Sequence, residues 1–157
     1  MNGSLIPISS TEFSEYFDNI GDCEIYLLSR NNAELYWRSI FTDKSTSYFS
    51  FSDDNWFIKS NSYKIGEWIN AYNSSSNIIL SDILTKEIFW QDDDIIRFCI
   101  SSSCIFQTTW QCFNLHWSDF LAIDDDCPIV FSVTNINTSI WFRPVGDIFE
   151  VDKNTKT

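Results

Sequence analysis

On one short stretch of this chain a thiol, an imidazole and a carboxylate recur at helical spacing: Cys112, His116 and Asp119, four and then three residues apart. In a helix of about 3.6 residues per turn those offsets bring the three side chains to one face. They are the parts of a nucleophilic site, in which a base activates a thiolate, or of half a metal site. Two features weigh against both. His116 is the only histidine in the chain, and nucleophile and base ordinarily approach from different elements into a shaped pocket. The plainer expectation is a polar outer face with His116 hydrogen-bonded at the core margin, and no catalytic residue is assigned.

Carboxylates make a second pattern. Asp92-Asp93-Asp94 and Asp124-Asp125-Asp126 each stand just before an apolar run, and Asp53-Asp54 precede Trp56 and Phe57. If the two apolar runs are parallel neighbouring strands, the triplets meet at one end of the sheet; if antiparallel, they separate. Meeting triplets would offer hard oxygen ligands to a divalent cation, but the Asp-x-Asp-x-Asp-Gly spacing of an EF-hand is absent and no metal site is expected. Carboxylates beside aromatics also suit a surface that anchors and desolvates a basic protein. Asp53, Asp54, Trp56, Asp92, Asp93, Asp94, Asp124, Asp125 and Asp126 are therefore the expected partner-binding residues.

Charge narrows the partners further. With 22 acidic against 10 basic side chains the net charge is -12, which repels nucleic-acid phosphates and anionic membranes and favours a basic protein. A hydrophobic content of 44% and an aromatic content of 17% argue for a packed core rather than disorder. With only four glycines, and no Gly-x-Gly-x-x-Gly, Gly-Lys-Ser/Thr or Gly-x-Ser-x-Gly, no nucleotide loop and no cofactor is expected. The five cysteines form no Cys-x-x-Cys pair, and an odd number cannot all close within the chain, so free, mostly buried thiols are the expectation. Residues 1–8 lack the basic start of a signal peptide, and no run reaches the roughly 18 apolar residues of a membrane span, which together point to the cytoplasm.

The elements that must position these groups follow from periodicity. Phe13, Tyr16, Phe17 and Ile20 predict a helix over 10–20 ended by Gly21, residues 23–29 read as a strand, and Asn32 can cap a helix carrying Leu35, Tyr36 and Ile40. Ile65, Trp68, Ile69 and Tyr72 predict a helix over 62–72, residues 73–77 a flexible connector, and Ser81 or Asp82 a further cap for a helix reaching Trp90. Residues 95–100 and 104–108 predict a hairpin about Ser101-Ser102-Ser103. Thr109 then caps an aromatic helix, in which Phe113, Trp117, Phe120 and Leu121 lie 3, 7, 10 and 11 residues from Trp110 and make one core-facing stripe. Residues 128–133, 139–142 and 148–151 read as strands.

Phe98-Cys99, Ile105, Thr108-Thr109-Trp110, Phe113, Trp117, Phe120-Leu121 and an Asp pair leading to Pro128 resemble the C-terminal signature of a small uncharacterised bacterial family, a domain of unknown function. The likeness covers about a quarter of the chain. It departs where that family tends to have Asp-Asp-Gly-Pro, because this chain reads Asp124-Asp125-Asp126-Cys127-Pro128. What it implies is a shared scaffold, with no catalytic residue to transfer.

The sum is a single α+β domain over 1–152 with a polar tail at 153–157. A helical N-terminal half is expected to pack on a mostly antiparallel or mixed C-terminal sheet. The expected role is non-enzymatic: an immunity protein that neutralises a basic bacterial toxin domain, such as a nuclease used in contact-dependent growth inhibition, by occluding its active site. The alternatives are an acidic nucleic-acid mimic that inhibits its target, and a thiol-dependent enzyme using Cys112 and His116.

Overall fold

The computed structural model describes residues 5–74, 77–124 and 126–153. Its strands are β1 (Leu5–Pro7), β2 (Tyr26–Leu28), β3 (Asn61–Glu67), β4 (Ile95–Ser101), β5 (Cys104–Thr109), β6 (Ile129–Ser132), β7 (Thr138–Phe142) and β8 (Asp147–Asp152). They form one open sheet in the order β1-β2-β5-β4-β6-β7-β8-β3, antiparallel at every pairing. The helices α1 (Arg30–Phe41), α2 (Trp56–Lys59), α3 (Ile69–Asn73), α4 (Asn77–Glu87) and α5 (Trp110–Ile123) are interspersed among the strands.

The expected helical N-terminal half is therefore corrected: both edge strands, β1 and β3, come from the first 67 residues. Over 62–72 the helical spacing of Ile65, Trp68, Ile69 and Tyr72 misleads. The sequence is also compatible with a strand, and pairing with β8 from Asn61↔Asp152 to Glu67↔Asp147 decides the matter, with a bulge between Lys64 and Gly66. Gly66 has a packing reason, since a Cβ there would stand 2.8 Å from Ile83 Cγ2 of α4. Over 10–20 only two short 3-10 turns form, Ile8–Ser10 and Ser14–Phe17. The Thr11 hydroxyl donates to the Ile8 carbonyl and accepts from the Phe13 N–H, which closes the first turn instead of propagating a helix. Of the expected connector at 73–77, residues 75 and 76 lie outside the described residues, as do 154–157 of the tail.

Helices cover both faces of the sheet. On one, α4 and α5 bury Leu80, Leu84, Trp110, Phe113, Trp117 and Phe120 against Ile96, Phe98, Phe106, Val130 and Ile140. On the other, α1 and α2 bury Trp37, Ile40, Phe41 and Phe57 against Cys99, Ile105, Ile129 and Phe131. Alternation along the central strands feeds both layers, whereas the edge strand β3 is exposed over residues 61–64, Tyr63 among them. Each fully buried aromatic contributes roughly 1.5–3 kcal/mol before entropy is subtracted.

Candidate functional site

The aromatic helix forms as its sequence predicts. Thr109 is the N-cap, its hydroxyl accepting from the Cys112 N–H at 3.2 Å. The first two N–H groups of α5 find their acceptors in the first acidic triplet: Trp110 donates to the Asp94 carbonyl at 2.8 Å and Gln111 to that of Asp92 at 3.0 Å. The Asp94 carboxylate accepts from the Gln91 N–H at 2.8 Å and fixes this turn. Asp94 thus has a structural task, while the side chains of Asp92 and Asp93 are exposed.

The Cys112-His116-Asp119 face is only partly assembled. α5 kinks at His116 (φ -127°, ψ 20°), and within that turn the Asn114 carbonyl accepts from the Ser81 hydroxyl of α4 at 2.6 Å. His116 Nδ1 lies 3.3 Å from Asp119 Oδ2, and burial raises the Asp119 carboxyl above its ordinary range despite His116. Cys112, however, is joined to Cys23 in a disulfide, with a Cα separation of 5.7 Å. The expectation of free thiols is corrected at these two positions, because the pairing of β2 with β5 brings Cys23, just before β2, beside Cys112 in the first turn of α5, 89 residues away in the chain. Cys99, Cys104 and Cys127 are free, and burial pushes the Cys104 thiol up to about 11, away from the thiolate that nucleophilic chemistry requires.

The two triplets do not meet. β4 and β6 are antiparallel, with Ile96↔Ser132 and Cys99↔Ile129, so Asp92, Asp93 and Asp94 stand at one end of β4 and Asp124 and Asp126 at the other. The strand between them spans roughly 20 Å at about 3.3 Å per residue. Asp124 caps the end of α5 and accepts from the Asp126 N–H at 2.6 Å, while Cys127 turns the chain into β6 at a positive φ of 63°. Asp125 lies outside the described residues. Among the described residues no group of three His, Cys, Asp or Glu side chains is placed to hold a metal ion. Asp53 and Asp54 belong to a third place: Asp54 pairs with Lys59 at 3.2 Å, fully at the surface. Trp56 is half-buried, stacked on Phe41 with its indole N–H donating to the Ile40 carbonyl at 2.7 Å and Lys153 over its ring.

A corner that the sequence pattern left unmarked gathers aromatic and acidic side chains. The core stripe of α4, Leu80, Leu84 and Ile88, runs out at Trp90, which turns inward onto Trp110 with centroids 5.0 Å apart. Adjacent residues cannot both face the core, and Phe89 projects outward, 86% exposed. It borders a notch of about 120 Å³ lined by Glu87, Trp90, Asn135, Thr138 and Glu150. Burial, then the neighbouring Glu87 and Asp152 carboxylates, raise the Glu150 carboxyl above its ordinary range. Glu87 also ends α4, where the helix dipole is itself negative. None of Glu87, Asp92, Asp93 or Glu150 lies within 4.0 Å of a cationic group among the described residues. The sequence signal for this corner was two consecutive aromatics following a complete i, i+4, i+8 stripe.

Taken together these features define a helix-covered antiparallel sheet protein with a carboxylate-rich aromatic corner. The chain belongs to the DUF2947 family of proteins of unknown function, whose family model matches residues 17–149. No curated protein and no solved structure matches it. Among the described residues no helix is long and apolar enough to cross a membrane.

Proposed function

We propose that this chain is an immunity-type protein that binds a basic toxin domain and occludes its active site, and that the Phe89 corner is where it does so. The observation that carries the reading is the pairing of an 86% exposed phenylalanine with carboxylates left without cationic partners at the end of α4. Such a site gains twice from a basic surface: the ring loses its contact with water, and a Lys or Arg seated in the notch relieves the repulsion among Glu87, Glu150 and Asp152. A nuclease suits the reading, since its substrate cleft must be basic to hold phosphate. The net charge of -12 draws such a partner in from a distance.

The test is capture of the partner from the source cell with the tagged protein, followed by toxicity rescue with the captured domain. Phe89→Ala should weaken binding by about 2 kcal/mol, the scale of an interface anchor. The joint change of Asp92 and Asp93 to Asn should slow association and flatten its salt dependence, whereas Asp124→Asn at the opposite end should leave both alone. A partner that is acidic, or one indifferent to Phe89→Ala and to salt, would end this reading. The thiol-dependent alternative would require Cys112 in its reduced form.

A further inference from the structure

One arginine of the sheet stands in an open cavity beneath α1. Arg97 of β4 and Gln107 of β5 are register partners, and they share a sheet face with Leu28 of β2 and Leu5 of β1. Between that face and α1 lies a space of about 440 Å³ walled by Leu28, Leu35, Tyr36, Ser39, Arg97 and Gln107. This volume is of the size that small-molecule sites occupy. It is on the α1 face, away from α4 and the Phe89 corner, so what it binds does not depend on the partner-binding reading.

The polar groups of this wall are short of acceptors. The Arg97 guanidinium stands over the Tyr36 ring, its Cζ 4.2 Å from the centroid, a cation–π contact that holds the side chain at this wall. Its Nε donates to Gln107 Oε1 at 3.0 Å, which fixes the orientation of the fork and leaves the Gln107 amide N–H₂ as a donor. Among the described residues no carboxylate lies within 4.0 Å of it, although the chain carries 22 acidic side chains. The Tyr36 hydroxyl is buried with no well-formed hydrogen bond; burial raises its pKa against the opposing charge and weak hydrogen bond of the nearby Arg97 guanidinium, which can only donate, so the hydroxyl keeps its proton and lacks an acceptor for it. A half-buried permanent cation and a buried hydroxyl without an acceptor are each costly unless something else satisfies them.

We propose that this cavity binds a small monocarboxylate with a short aliphatic body, the carboxylate forked by Arg97 and steadied by Gln107 and Tyr36, the body lying on Leu5, Leu28 and Leu35. The donor set calls for an anion, and the planar guanidinium fork matches a carboxylate's two oxygens. The leucines call for an apolar remainder. The ligand supplies the acceptor that the Tyr36 hydroxyl lacks.

The probe is 4-methylpentanoate, titrated into the intact protein and followed by side-chain and backbone ¹⁵N chemical shifts, with 4-methylpentanamide and inorganic phosphate as comparison ligands. Saturable binding is expected in the millimolar range or tighter, with shifts centred on Arg97 and Gln107, and at least about tenfold weaker binding of the amide, which lacks the charge. Phosphate should bind at least about tenfold more weakly as well, for want of the apolar body. Arg97→Gln should lower affinity about tenfold or more, and Tyr36→Phe roughly three- to tenfold with the fold intact. If Arg97→Gln does not fold, Tyr36→Phe and the amide comparison carry the test. Equal binding of acid and amide, equal or tighter binding of phosphate, no saturation below about 50 mM, or affinity unchanged in the variants would overturn the proposal.

Discussion

Replacing Tyr36 with phenylalanine separates the stability of the cavity wall from its use. The ring keeps its place beneath Arg97, 4.2 Å from the guanidinium, and only the hydroxyl goes. That hydroxyl is buried without an acceptor for its proton. Mutational data put the desolvation of such a group at roughly 1–3 kcal/mol, and the slightly weaker attraction of a phenyl ring for the cation takes back about 0.5 kcal/mol. Tyr36→Phe is therefore expected to stabilise the ligand-free protein by about 1 kcal/mol. For a chain of 157 residues the unfolding entropy near the midpoint converts this to a rise in Tm of about 2–4 °C. Urea unfolding followed by tryptophan fluorescence measures it directly, since the m-value should stay constant while the midpoint rises. Loss of stability by more than about 0.5 kcal/mol would show that the hydroxyl has a partner after all, and the reasoning about the cavity wall would fail with it. A gain in stability beside a loss of carboxylate affinity is the signature of a binding group held at structural expense.

Four further outcomes are expected. Asp43 ties two loops together: it accepts from the Ser45 N–H at 2.8 Å and from the Asn55 side chain. Burial acts to raise its carboxyl, but the bonds from Ser45 and Asn55 outweigh it and hold the pKa below the ordinary 3.8. A depressed pKa stabilises above the unfolded value and the benefit fades as pH falls through the folded one. Asp43→Ala should thus cost about 1–3 kcal/mol at neutral pH and progressively less below pH 3.8, as acid titration of the unfolding midpoint would reveal. Glu150 is the opposite case, its pKa raised by burial and by Glu87 and Asp152; its ionised form destabilises the fold at neutral pH, so Glu150→Gln should raise Tm there, with the advantage vanishing below the ordinary 4.5. Thr42 caps α1 in the left-handed region at φ 56°, where a β-branched residue is strained, and Thr42→Gly should gain about 0.5–1 kcal/mol in denaturant unfolding; a loss would mean that the threonine side chain holds the turn. Reducing the Cys23–Cys112 bond, which closes a loop across 89 residues, should lower stability by as much as about 4–5 kcal/mol, and thiol titration of the unfolded, unreduced protein should find three free cysteines, Cys99, Cys104 and Cys127; five would refute the bond.

Local patterns by themselves determined the C-terminal part of the molecule. The aromatic stripe from Trp110 to Leu121, the Thr109 cap and the hairpin about Ser101–Ser103 are set by contacts a few residues apart, where 3.6-residue and 2-residue periods are unambiguous. The sequence was equally sufficient to establish that any partner must tolerate a charge of -12. Tertiary structure decided the rest. Ile65, Trp68, Ile69 and Tyr72 fit a helix, yet β3 exists because β8, more than 80 residues further on, offers it a ladder. The two acidic triplets look alike in sequence, but the antiparallel pairing of β4 with β6 sends them to opposite ends. Cys23 and Cys112 meet only when β2 and α5 are both in place, and Arg97 becomes a cavity cation only when α1 roofs the sheet. In each case contacts between residues far apart in the chain, invisible to any short window, select the outcome, and at β3 they do so over a local preference for helix.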